Sequence, residues 1–155
     1  MNNKYLILVN RNNQINEKYE CELVDCDSIY ANDRKLEKET YLQFKKLEDF
    51  ISKKGYTIAI ESGYRSYDYQ KKVWNEILNS KGIEYTEKFV AKPGYSEHQT
   101  GLAVDFLLYE NGNFYDDVKL LGHPVLKLVA DNAWKFGFII RYPLGKEKIT
   151  EYGYE

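Results

Sequence analysis

The run Leu102-Ala103-Val104-Asp105-Phe106-Leu107 is apolar except for one carboxylate, and that exception constrains the chain more than any other feature. Leu102, Val104 and Phe106 alternate with Ala103, Asp105 and Leu107, the period of two expected of a β-strand with one face towards a core. Asp105 then falls on the opposite face, beside the small Ala103. A carboxylate flanked in this way is costly to take out of water unless it is paired, hydrogen-bonded or bound to a cation. Just upstream, Gly101 permits a sharp turn that would carry His98 back towards Asp105. A neutral imidazole and a carboxylate together make up most of a common zinc ligand set. Two readings stand at this point: His98 and Asp105 share a metal, or His98 caps a turn while Asp105 pairs with an arginine.

The frame around this stretch is that of an ordinary globular chain. Its 155 residues suffice for one domain that buries its own core, and 43% hydrophobic with 30% charged residues is a soluble composition. A formal net charge of -2 argues against a nucleic-acid partner. The 15 tyrosines suit either a groove for a polar polymer or half-buried strand positions. Cys21 and Cys26 are too few for a disulfide framework or a structural zinc site, and free thiols are the default expectation. The apolar run at residues 5–9 is too short for a signal peptide or a membrane span and reads as a first strand. The chain as written is accordingly expected in the cytoplasm, or at the cell envelope if it is a processed piece of an exported protein.

A polar loop at residues 11–20 leads to an amphipathic helix over 36–54, with Thr40, Phe44, Leu47 and Ile51 at helical spacing. A strand at 56–61 follows, then a helix over 66–80 with Ser66 as N-cap and Val73, Trp74, Ile77 and Leu78 as its apolar stripe. Residues 81–93 read as a connection. Asn111-Gly112 signals a hairpin, and His123-Pro124 opens a third helix that carries Leu126, Val129, Ala133 and Phe136 and stops at Gly137. Residues 138–142 and 149–154 read as further strands. His123 is read as a surface or cap residue.

Three ordered blocks carry a resemblance. Ser96-x-His98-x-x-Gly101-x-Ala103-x-Asp105 resembles the signature of zinc D-alanyl-D-alanine carboxypeptidases of the VanY type. Ser62-Gly63-Tyr64-Arg65-Ser66-Tyr67 with Gln70 resembles the upstream motif of the same family, and Gly137 to Pro143 the segment that leads to its C-terminal motif. Leu8-Val9-Asn10-Arg11 also looks like the start of such a domain. The resemblance implies an α+β fold, with helices packed on one side of a small, mainly antiparallel sheet. It implies Zn2+ on His98 and Asp105, and hydrolysis of the terminal D-Ala-D-Ala bond of peptidoglycan peptides. It further implies that Arg65 contacts substrate and stabilises charge at the reacting carbonyl, and that Gln70 and Ser96 contact the substrate. The alternative role for Arg65 is a structural salt bridge to Asp68 or Glu61.

The family pattern continues with Glu-x-x-His, the glutamate acting as general base and the histidine as third zinc ligand. Glu155 stands in the base position and is the last residue given. The expectation is therefore a single domain over residues 1–155, truncated before its C-terminal strand, that holds zinc weakly until the missing ligand is restored. A related L,D-carboxypeptidase or phage-type wall endopeptidase is the alternative enzyme. A non-catalytic peptidoglycan-binding domain is the alternative of another class.

Overall fold

The computed structural model describes residues 4–142. Among these, the strands form two antiparallel sheets. A short pair, β1 (Leu23–Asp25) and β2 (Lys35–Glu37), stands apart from a three-stranded sheet in the order β3 (Thr57–Ser62), β4 (Asp105–Glu110), β5 (Asn113–Tyr115). The helices are α1 (Lys38–Ser52), α2 (Tyr67–Lys81), α3 (Ile83–Phe89), α4 (Asp117–Leu120) and α5 (Pro124–Asn132). The architecture is the expected α+β arrangement around a small antiparallel sheet.

Local chemistry accounts for most of these elements. Glu37 ends β2 and caps α1, its carboxylate accepting from Thr40 N at 3.0 Å. Phe44, Leu47 and Ile51 then turn the apolar stripe of α1 onto Ile58 and Ile60 of β3 and Leu108 of β4. Ser66 caps α2 through Tyr69 N, and His123 caps α5, Nδ1 accepting from Val125 N at 3.2 Å with Pro124 in the first turn. Asn111 and Gly112, at φ 52° and 80°, form the two-residue turn between β4 and β5.

Several expected elements differ. Residues 5–9 do not pair as a strand. Lys4–Leu6 forms one 3-10 turn, Leu6 and Leu8 are exposed, and Val9 alone of the run is buried. The connection at 81–93 contains α3, whose Ile83 and Tyr85 are exposed, so it shows no apolar stripe in sequence. The stripe expected on α2 is only half-buried, and the enclosed side chain of that helix is Gln70. Phe138 packs edge-on against Phe44, but residues 138–142 form no strand. β4 begins at Asp105, three residues later than the alternation suggested, although the parity holds: Leu108 lies in the core with Val104 and Phe106 packed against it. The strand expected at 149–154 lies outside the described residues.

Candidate active site

The site is built where β3 meets β4. Ile60 pairs with Phe106, but the next pair is Ser62 with Asp105, so Glu61 is an extra residue on β3. Such a bulge re-aims the side chains beyond it. Here it sets Ser62 directly across from Asp105, and residues opposed in this way share a face of the sheet.

Gly63 follows, pressed against β2. A Cβ there would stand 2.4 Å from the Lys35 carbonyl oxygen, so no larger residue fits without movement. Tyr64 N donates to that same carbonyl at 2.7 Å, and Arg65 N donates to His98 O at 3.1 Å. The Gly63–Arg65 segment is thereby fastened to β2 on one side and to the loop carrying His98 on the other. That loop is a single 3-10 turn, Glu97–Thr100, closed by Gly101 at φ 74°. Gly101 is required twice over. Its conformation is left-handed, and a Cβ would meet Glu37 N at 3.0 Å and Cys21 Sγ at 3.1 Å. Its carbonyl accepts from Glu37 N at 3.0 Å, which ties the turn to the start of α1.

The turn brings His98 and Asp105 together, with Nε2 3.2 Å from Asp105 Oδ2. His98 Nδ1 lies 2.6 Å from the Gly63 carbonyl, which can only accept, so the Nδ1 proton is committed there. A neutral imidazole then presents a lone pair at Nε2 towards a carboxylate oxygen, and two acceptors at this distance need a proton or a cation between them. Zinc bonds of about 2.0–2.2 Å at a tetrahedral angle place ligand atoms roughly 3.3–3.6 Å apart, so the pair is close to the separation, and has the donor types and outer-shell support, that zinc requires. Among the described residues no group of three or more His, Cys, Asp or Glu side chains converges on one point, so these two would be joined by a ligand from elsewhere.

Asp105 is also held by Arg65, whose Nη2 donates to Oδ2 at 3.2 Å. Asp105 thus pairs with an arginine, as one of the two initial readings held, and also faces His98; Arg65 itself pairs with neither of the partners, Asp68 or Glu61, considered for it from sequence. Burial pushes the Asp105 carboxyl up, but with no metal between them a proton on His98 Nε2, together with Arg65, outweighs it and holds the carboxyl below the ordinary carboxylate value. Arg65 is aimed by Ser62, whose Oγ accepts from Nε at 3.1 Å and Nη2 at 2.9 Å. Its Nη1 donors have no partner among the described residues.

The remaining candidates are placed less uniformly. Ser96 is buried immediately before the turn, and its hydroxyl has no hydrogen-bond partner among the described residues. Gln70, one turn into α2 and so expected to point towards Arg65, is instead 1% exposed with Nε2 donating to Ala91 O at 2.8 Å, while Oε1 has no partner among the described residues. A cavity of about 270 Å³ lined by Arg11, Trp74, Glu87, Val90, Lys92 and Tyr95 opens next to Ser96 in sequence. His123 caps α5 and packs edge-on against Tyr56, away from His98 in the fold. Glu155 lies outside the described residues. Glu97 escaped the sequence reading: its carboxylate accepts from Arg141 Nε at 2.6 Å and from Tyr142 OH at 2.7 Å. The signal was present as an acidic residue inside one motif block and an Arg-Tyr pair in another, but nothing in either block says that they meet.

Residues 33–155 match the family model described as VanY, D-alanyl-D-alanine carboxypeptidase. The chain belongs to the VanY family. Over 157 residues it is 41% identical to the protein YodJ of Bacillus subtilis (strain 168), covering 97% of this chain and 57% of that protein. The chain thus spans little more than half the length of that relative. Among solved structures, the VanY fold seen here superposes on the LdcB LD-carboxypeptidase with a TM-score of 0.85 at 41% identity, covering 97% of this chain and 73% of that one. It superposes on a VanY D,D-pentapeptidase from a VanB-type resistance cassette, in complex with Zn(II), with a TM-score of 0.82 at 31% identity, covering 99% and 85% of the two chains. Among the described residues, no helix is long and apolar enough to cross a membrane.

Proposed function

We propose that this chain is a zinc metallopeptidase that hydrolyses the C-terminal D-Ala-D-Ala bond of peptidoglycan stem peptides or their precursors. The observation that carries this reading is the convergence of His98 Nε2 and Arg65 Nη2 on one oxygen of Asp105, each at 3.2 Å. His98 and Asp105 would hold the metal, with a further ligand from beyond the described residues. When bound, zinc supplies a Lewis acid that polarises the scissile carbonyl and makes water a nucleophile near neutral pH. Arg65, aimed by Ser62 and with Nη1 to spare, steadies the oxyanion that develops at that carbonyl. Glu155 takes the proton of the attacking water. Ser96 offers its hydroxyl to the terminal carboxylate of the peptide, and Gln70 is a further substrate contact through Oε1, which has no partner among the described residues. The charged and aromatic cavity beside Tyr95 suits the polar stem that precedes the scissile bond.

A second reading, L,D-carboxypeptidase activity on a tetrapeptide, is favoured by the 41% identity and 0.85 TM-score to LdcB. The test is release of D-alanine from a pentapeptide ending in D-Ala-D-Ala and from a tetrapeptide ending in an L,D bond. Both are assayed with the chain after chelation and after return of zinc. Zinc-dependent release from the pentapeptide supports the first reading, and release from the tetrapeptide alone supports the second. Binding of both peptides without release from either would leave a peptidoglycan-binding module and end the enzymatic proposal.

A further inference from the structure

Glu37 carries a buried carboxylate that takes no part in the proposed reaction, yet its backbone supports the turn that does. It is 2% exposed, at the junction of β2 and α1. Its N–H donates to Gly101 O at 3.0 Å, and Gly101 N donates in turn to His98 O at 3.2 Å. The same residue closes the space around Gly101, where an added Cβ would stand 3.2 Å from Glu37 Cβ. A charge buried in such a place is costly unless it is paired. Oε2 accepts from Thr40 N at 3.0 Å and from Thr40 Oγ1 at 3.3 Å, which satisfies that oxygen without neutralising it. Oε1 accepts from Lys4 Nζ at 2.8 Å, a residue 33 positions away. Among the described residues Lys4 is the one cation that pairs with Glu37. Burial pushes the Glu37 carboxyl up, but Lys4 and Thr40 outweigh it and hold it below its ordinary value.

We propose that Lys4 is a positioning residue for the metal turn: by neutralising Glu37 it keeps the Glu37 backbone against Gly101, and so keeps His98 where it can share a cation with Asp105. The proposal rests on the carboxypeptidase reading, in which His98 and Asp105 hold zinc. Removing one member of a buried ion pair strands the other, whereas replacing both by neutral groups is often without cost. A stranded Glu37 carboxylate draws in water or moves towards it, and either disturbs the backbone on which Gly101 rests. Lys4 is itself half-exposed, so its replacement removes a charge and little packing. Groups that orient a metal ligand from outside are worth about 10–100-fold in metal affinity. Lys4 acts from further out than the Gly63 carbonyl, so the lower end of that range applies.

The experiment is a zinc titration against a chelating dye, with urea unfolding alongside, of the wild-type chain, Lys4→Arg, Lys4→Met, Glu37→Gln and the Lys4→Met/Glu37→Gln double variant. Lys4→Met is expected to bind zinc about tenfold more weakly. Lys4→Arg keeps the charge and Glu37→Gln keeps the acceptor for Thr40 N, so both should stay within about threefold of the wild type. The double variant should recover to the same range, because no charge is left unpaired. A residue that only stabilised the fold would lower the urea midpoint and leave zinc affinity alone.

Unchanged zinc affinity in Lys4→Met, an equal loss in Lys4→Arg, or a double variant as weak as Lys4→Met would each overturn the proposal. If Lys4→Met shows no folded state, the double variant decides: one that folds and binds zinc supports the role, and one that stays unfolded refutes it. If the wild-type chain takes up no zinc, the metal reading fails instead. The role of Lys4 is then judged on hydrogen exchange of the Glu37 N–H, which should be slow in the wild type and the double variant and fast in Lys4→Met. Equal exchange in all three refutes it.

Discussion

Substituting Gly63 by alanine tests whether the site is assembled by backbone packing. The added Cβ would lie 2.4 Å from Lys35 O and 3.0 Å from Leu36 Cδ2, so reaching even 3.0 Å from the carbonyl requires a shift of about 0.6 Å. β2 cannot simply retreat, because Lys35 O accepts from Tyr64 N at 2.7 Å, one residue further on, and retreat stretches that bond. Overpacking of this kind costs about 1–3 kcal/mol and a weakened backbone bond adds about 1, for roughly 2–4 kcal/mol in all. The urea midpoint should fall on the order of 1–2 M. The same movement displaces the Gly63 carbonyl from His98 Nδ1, now 2.6 Å away, and loss of such an outer-shell partner weakens metal binding about 10–100-fold. Val129→Ala provides the control: Val129 is 3% exposed in α5, remote from His98 and Asp105 in sequence, and its truncation should cost on the order of 2 kcal/mol without altering zinc affinity. Equilibrium unfolding and zinc titration of the three proteins decide the matter. A Gly63→Ala chain as stable as the wild type, or one destabilised like Val129→Ala with zinc affinity intact, refutes the reasoning.

Two further outcomes follow from the same geometry. Arg65→Ala should lower kcat/KM on the order of a hundredfold or more, and Arg65→Lys should not restore it, because a point charge cannot bond Ser62 and Asp105 while donating to an oxyanion; activity retained in either variant removes Arg65 from the mechanism. The Cys26 thiol, 3% exposed, is pushed up to about 11 by burial, with Asp25 adding to the effect. The folded state therefore keeps a proton that the unfolded chain gives up near its ordinary value of 9.0, so stability is whole below that pH and is lost as pH rises to about 11. The loss is on the order of 2–3 kcal/mol. Urea unfolding between pH 8.5 and 11 should show a shallower decline in Cys26→Ala than in the wild type, and equal declines would contradict the assignment.

Much of this protein is legible without coordinates, because local chemistry is written locally. The alternation through Phe106 sets Asp105 on the face opposite the core, a consequence of strand pleat alone. Ser66 and His123 cap helices because each stands just before an apolar period begins, and Asn111-Gly112 turns a hairpin because few other pairs accept positive φ. Pattern fails where a partner is needed. Residues 5–9 have the composition of a strand but pair with no sheet edge, and α3 exposes the apolar residues that would have announced it. The burial of Gln70 and the bond from its Nε2 to Ala91 O, 21 residues away, are likewise announced by nothing in its local pattern.

The residues of the site were named by their own sequence, but their relation to one another was not. The bulge at Glu61 decides that Ser62 faces Asp105, the Gly63 carbonyl decides which nitrogen of His98 is free, and the fold alone brings Arg141 and Tyr142 onto Glu97. Each of these depends on two atoms distant along the chain being brought within about 3 Å of each other. Periodicity and spacing describe a residue and its near neighbours. Only the folded backbone supplies the other half of such a contact, which is why candidate residues could be named in advance and their arrangement could not.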